Sequence, residues 1–438
     1  MVVTIVRLSE PMLQRSTIPS RPRLRFIPFR KKDIIEMCIS GGALSGSDQM
    51  KFREFCRLLQ SVFHFEYHDT LETLKDLYAP LNPDRDTRKV GVFVEESGES
   101  FTETLHGLLD KANYELLTQE ELEAAFEESS LFQLKLNIDF DAFEEALLFT
   151  RGESIHTEQV STLWGLIKRD VTFLNFDRVV IYIRYRDDVT SDGASDAGRI
   201  KPGATMLKLF QNVPRADVEM LFPNTRLGMR LVDKLMIGVP ALVGAVAIAM
   251  TKAGASLLLL ASLIGFWLGL HSEAVELDEA RMIAILAGLG GLGSYIWKQF
   301  SNFRNRKLLF MQSLTQNLYF KNLDNNAGVF HRLIDDAEEE ECKEAILAYY
   351  FLLTQEKDTV TDEASLDRMI EDWFQKRWDS HLDFEVDDAL AKLRKLGLLQ
   401  ESDRGMTVQP LGGACELLDQ RWDDYFRFGE DGTAKSPV

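Results

Sequence analysis

Cysteine is scarce in this chain: four in 438 residues, Cys38, Cys56, Cys342 and Cys415, with no CxxC pair among them. That argues against a disulfide framework and against a cysteine-based zinc site. Histidine is equally thin at seven residues, and no HExxH, GxSxG or zinc pattern is formed. The one glycine-rich run, Gly288–Gly293, lies inside an apolar stretch and lacks the Lys-Ser/Thr ending of a phosphate loop. Positive charge is in deficit, with 50 Lys and Arg against 69 Asp and Glu and a net charge of −19. Nucleic-acid binding rests on neutralising phosphates, so a nucleic-acid partner is not expected. No secretory signal is expected, because Met1–Lys32 has no apolar core of the needed length. That segment is a basic flexible leader. Pro11, Pro19, Pro22 and Pro28 keep it from forming one long helix. An organelle transit peptide is its alternative reading.

Long apolar runs, in contrast, are present. Leu235–Met250, Ala253–Leu270 and Met282–Trp297 each approach the roughly 30 Å of a bilayer core at about 1.5 Å per residue. Arg226, Arg230 and Lys234 precede them, and Lys298, Arg304, Arg306 and Lys307 follow. Two basic flanks on one side require an even number of crossings. The expectation is therefore a hairpin of Ala253–Leu270 and Met282–Trp297. Leu235–Met250, interrupted by Gly238, Pro240 and Gly244, would lie at the interface or re-enter. Three full crossings are the alternative.

Around that region the sequence reads as α+β. Helical spacing predicts helices over Lys31–Ile39, Ser47–Phe63, Asp69–Tyr78, Gly98–Asp110 and Thr118–Ser129, the last with a capping box. His64 and His68 share a helical face, and their aromatic neighbours favour a core or boundary place. Strands are expected at Phe132–Asp139, at Glu145–Thr150 before a turn at Arg151-Gly152, at Arg178–Arg186 and at Thr205–Val213. Farther on, Phe384–Gly397 followed by Gly405–Leu411 resembles the last helix and wing of a winged helix. That helix balances its acidic and basic residues, which points to protein contacts or a structural use rather than DNA.

The resulting expectation is an α+β membrane protein. A basic leader (1–32) precedes a helical N-terminal part (33–130) and a small antiparallel sheet (131–224, with a loop at 187–203). A helical membrane hairpin (225–299), a juxtamembrane helix with a polar acidic segment (300–343), a C-terminal winged-helix-like domain (344–413) and a final helix and tail (414–438) complete it.

Four stretches carry a family resemblance: Phe26–Asp33, Tyr78–Asp84, Pro214–Arg226 and Asn322–Glu344. Together they resemble the uncharacterised domain-of-unknown-function family 3754, the transmembrane protein 143-like membrane proteins. The resemblance runs from Phe26 to Gly412 and is strongest over Leu207–Ala345. It implies a membrane protein of bacteria and organelles, and brings no activity and no catalytic residues.

His331, Asp335, Glu339 and Cys342, spaced 4, 4 and 3 apart, line one face of a helix and are all metal-ligand types. They are the candidate site, for a divalent metal. The bland reading of the same residues is a solvated acidic face, since the run Glu338–Glu341 needs water or counter-ions. No catalytic residue and no other cofactor is expected. The functional expectation is a membrane-anchored structural, scaffold or regulatory interaction protein, with both aqueous regions on the cytoplasmic side of a bacterial inner membrane, or alternatively in a mitochondrial membrane. Its partners would be the lipid bilayer and other proteins or further copies of itself. The alternatives are a metal-binding protein or enzyme using the His331–Cys342 face, and a transport or channel component.

Overall fold

The computed structural model describes residues 23–83, 100–127, 135–138, 140–162, 167–187, 203–223, 226–228, 278–355, 362–402 and 405–425, with isolated positions between 258 and 268. Leu235–Met250, most of the loop 187–203 and the leader before residue 23 lie outside them.

The chain divides into two units: 1–129 with 139–218 and 321–438, and 130–138 with 219–320. In the first, α1 (Lys31–Ser40) and α2 (Gly46–Tyr78) lead into α3 (Phe101–Lys111), β1 (Glu115–Leu116) and α4 (Gln119–Glu127). The 33-residue α2 joins the two helices expected over Ser47–Phe63 and Asp69–Tyr78, because neither glycine nor proline lies between them. Its cap is Ser45, which accepts the Asp48 N–H, rather than Ser47. The Thr118 capping box is formed, with Thr118 Oγ1 accepting from Glu121 N at 3.3 Å and Glu121 Oε2 accepting from Thr118 N at 2.9 Å.

Two long strands, β3 (Phe143–Thr162) and β4 (Ile167–Tyr185), form the spine of the sheet. With β1, β5 (Thr205–Pro214) and β7 (Asn322–Asn325) they make a five-stranded antiparallel sheet in the order β1-β3-β4-β5-β7. The turn expected at Arg151-Gly152 is absent. The strand continues through it, with Arg151 opposite Arg178 and Glu153 opposite Phe176. Gly152 absorbs the local kink at φ +73°, and a Cβ there would meet Asp177 Oδ2 at 2.5 Å and the Phe26 ring at 2.9 Å.

From β7 the chain turns at Asn326, held at φ +51°. Asn326 Oδ1 accepts from the Tyr78 hydroxyl at 3.0 Å, and its N–H donates to Leu207 O at 2.7 Å. It opens α6 (Ala327–Thr354), the central helix of this unit. Then come α7 (Glu363–Trp378), α8 (Val386–Lys395), the two-stranded antiparallel pair β8 (Leu399–Ser402) and β9 (Gly405–Val408), and α9 (Leu411–Asp424). One hydrophobic core runs through α1, α2, α3, the sheet face of Phe149, Val180, Tyr182, Leu207 and Leu209, and α6 to α9. The opposite face of β4, at Val179, Ile181 and Ile183, is buried as well.

The second unit holds the short pair β2 (Lys135–Asn137) and β6 (Arg226–Gly228) and the 43-residue helix α5 (Glu279–Lys321) up to Phe320. Here the expected membrane anchor is corrected. Among the described residues no helix is long and apolar enough to cross a membrane. The apolar stretch Met282–Trp297 is 16 residues within α5, and the helix runs on through Lys298 and Arg304 without a break. That is short of the roughly 20 apolar residues a span needs. The α+β part of the expectation stands, as a fold with a five-stranded antiparallel sheet, while the transmembrane reading and the membrane hairpin do not.

Candidate functional site: the acidic face of the central helix

Helix α6 carries Asp335, Asp336, the run Glu338–Glu341, Lys343 and Glu344 between apolar positions that enter the core. On a helix, residues four apart share a face, so Asp336, Glu340 and Glu344 rise in one row with Lys343 beside them. This row is not solvated. Glu340 is 1 % and Glu344 2 % exposed, and Glu338 and Glu341 are also buried. Burying carboxylates is costly unless cations and donors meet them, and here they come from four other elements.

Arg151 arrives from β3. Its Nη2 donates to Glu340 Oε1 at 2.6 Å and its Nη1 lies 3.0 Å from Asp336 Oδ2. The guanidinium also lies over the rings of Phe26 and Tyr114, at 4.7 and 5.6 Å from their centroids. Tyr114 donates its hydroxyl to Asp336 at 3.0 Å. Burial pulls the Arg151 pKa down, but Asp336 and Glu340 outweigh it, and the net direction is up. Lys343 Nζ donates to Glu340 Oε1 at 2.9 Å and to the Ile27 carbonyl at 2.7 Å. The Ile27 N–H in turn donates to Glu340 Oε2 at 3.0 Å. Glu340 and Lys343 thus read both backbone groups of one residue in the segment before α1.

That segment is pinned along its length. Leu24 bridges to Leu382, Arg25 pairs with Glu385, and Phe29 stacks on Phe374 at 5.6 Å and edges Trp378 at 6.3 Å. One turn further along α6, Glu344 accepts from Lys392 of α8 at 2.6 Å and from Asn113 Nδ2 at 3.0 Å. Asn113 follows α3 in the left-handed region at φ +58°, which Asn tolerates. Burial pushes the Glu344 carboxyl up to about 7, against the lowering pull of Lys392. Lys392 itself goes up, because Glu344 and Glu341 outweigh its burial. On the other side of α6, Glu338 accepts from Lys31 Nζ at 3.1 Å and meets His64 Nδ1 at 2.9 Å.

The four residues expected as metal ligands are placed differently from one another. His331 and Asp335 are exposed, and Glu339 accepts the Lys31 N–H at 3.1 Å. Cys342 is fully buried, and burial pushes its thiol up to about 12. Their common face starts in solvent and ends inside the core, so the helix does not present them together. Among the described residues no group of three or more His, Cys, Asp and Glu is arranged to hold a metal ion. The solvated-face reading is corrected too, because the glutamate run turns inward to cations contributed from elsewhere. His64, expected in the core or at its boundary, is exposed and held through Glu338.

Sequence reasoning passed over Arg151, Lys343, Lys392, Asn113 and the Ile27 backbone. One signal was available: the glutamates sit in a helix whose flanking positions, Leu333, Ile334, Ala337 and Ala345–Tyr350, are apolar on every side. A helix apolar all round is a buried helix. On α8, the basic residues face inward or sideways: Lys392 to Glu344, Arg394 to Glu401 and Lys395 to Glu66.

Fold and site together define an α+β protein with a buried, charge-compensated polar network around one helix. The family model described as "Protein of unknown function (DUF3754)" matches residues 176–328, about a third of the chain. The match spans the later half of β4 through the start of α6, and the narrower likeness to transmembrane protein 143 is not shown by it. No solved structure matches the chain.

Proposed function

We propose that this protein acts by association rather than by catalysis, as a structural, scaffold or regulatory interaction protein. The observation that supports this reading is the use made of its ionisable groups. Glu340, Glu344, Arg151 and Lys343 are buried and Lys392 is half-buried; all are bonded to one another or to backbone, and they join four parts of the chain. Catalytic groups need an approach for substrate and a pKa poised for proton transfer. These groups serve instead to fix residues 24–29, β3, α6 and α8 in one arrangement.

Metal analysis and native mass spectrometry of the purified full chain test the reading. It expects no stoichiometric metal or small molecule, and no change in metal content in His331→Ala or Asp335→Ala. A stoichiometric metal that either substitution removes would overturn it in favour of a metal-dependent activity on the His331–Cys342 face.

A further inference from the structure

Helix α5 leaves large apolar side chains in the open. Met282, Ile283, Leu286, Ile296, Trp297, Phe300, Leu308, Met311, Tyr319 and Phe320 are all exposed, with Trp297 at 70 % and Tyr319 at 75 %. At about 100° per residue, nine of these ten fall within an arc of roughly 140°, with Phe320 apart. They also repeat. Leu286, Trp297, Leu308 and Tyr319 are spaced by 11 residues, and so are Phe300 and Met311. Eleven residues make three turns at 3.67 per turn, so such a stripe stays on one side of a nearly straight helix over its whole length. Gly290 and Gly293 fall on the same side, and a Cβ added at either meets nothing within 4 Å.

From this repeat we infer that α5 is a self-association helix, which packs against α5 of a second copy of this chain in antiparallel orientation about Phe300. Area and charge support that occupant. Monomeric proteins rarely expose apolar patches above roughly 300–600 Å². A stripe along a helix about 65 Å long offers on the order of the 800 Å² per partner of a standard interface. The fixed 11-residue repeat suits a regular, helical partner more than an irregular one. Orientation follows from Arg304, which is exposed and falls within the same arc. Parallel pairing in register sets it beside its own copy, and like charges repel. Antiparallel pairing about Phe300, the midpoint of the helix, sets Arg304 opposite Ile296. It also opposes the two helix dipoles. This inference rests on α5 alone and does not depend on the buried network.

Sedimentation equilibrium of the full chain at micromolar concentration tests it. A dimer is expected, and Trp297→Glu and Leu308→Glu should each weaken it about tenfold or more while leaving far-UV circular dichroism and the melting temperature of the monomer unchanged. In a Cys415→Ser background, a short bismaleimide should join Ile296→Cys chains to Arg304→Cys chains in a mixture, and join neither chain to itself. A monomer throughout the concentration range overturns the inference, as does cross-linking of Ile296→Cys to itself alone. So does recruitment of a monomeric chain to phosphatidylcholine–phosphatidylglycerol vesicles that Trp297→Glu abolishes. Each of these leaves the non-catalytic reading to be judged by its own metal and mass measurements.

Discussion

Arg151 and Glu340 are 189 residues apart in sequence and 2.6 Å apart in the structure, with side chains 10 % and 1 % exposed. The pair ties the sheet to the central helix inside the core. Because Glu340 also bonds Lys343 and the Ile27 N–H, removal of either charge strands several groups at once. Arg151→Met and Glu340→Leu should each cost about 3–5 kcal/mol in denaturant unfolding. The double variant should cost clearly less than the sum, since it leaves fewer unpaired charges. Additive losses would show that the two residues act independently.

Glu344 gives the stability a pH dependence. Its carboxyl titrates near 7 in the folded chain because it is buried, against 4.5 as its ordinary value. Between those two pH values the folded state holds a proton that the unfolded state has lost. The stability contributed by this group is therefore fully present below about pH 4.5, falls as pH rises, and levels off above about 7. Glu344→Gln removes the titration. The variant should gain stability relative to wild type between pH 5 and pH 8, read as diverging denaturant midpoints. Parallel pH curves for the two proteins would show that Glu344 ionises freely in the folded state.

The segment before α1 should behave as part of the core. Phe29 stacks on Phe374 and meets Trp378 edge-on, so Phe29→Ala should destabilise by about 2 kcal/mol. Limited proteolysis of that variant should cut first between residues 23 and 30. A fully wild-type cleavage pattern and midpoint would place this segment outside the cooperative unit.

Thiol accessibility follows burial. Cys38, Cys56 and Cys342 are buried, and burial raises all three thiols. Cys415 is half-buried. Maleimide under native conditions should label Cys415 alone, and all four cysteines after unfolding. Rapid native labelling of Cys342 would mean that α6 opens at its centre.

Much of this fold is legible residue by residue. The alternation of Val179 to Arg186 marks β4, and Thr118 with Glu121 marks the start of α4, because both depend on neighbours within a few positions. The join of α2 through residues 64–68 is less so, since a missed helix continuation looks the same as two helices. For the inward turn of Glu338–Glu341 the one local signal is the apolar positions flanking the run, and the partners of the glutamates could not be read locally. Their cations, Arg151, Lys392 and Lys31, lie about 50 to 300 residues away, and nothing near the glutamates in sequence announces them. The candidate ligands from His331 to Cys342 share helical spacing, but spacing fixes a face and not its surroundings. The apolar stretch at Met282–Trp297 was visible as apolar, and the juxtamembrane helix expected after it is the continuation of the same 43-residue helix.

Carboxyl labelling tests the buried acidic face most directly. Carbodiimide coupling of an amine to the native chain, followed by peptide mass spectrometry, reports the access of solvent to each carboxylate. Glu340 and Glu344 should stay unmodified under conditions that label the exposed Asp335 and Glu54, and all four should label equally once the chain is unfolded. Native labelling of Glu340 and Glu344 at the rate of Glu54 would contradict it and return the glutamate run to a solvated surface.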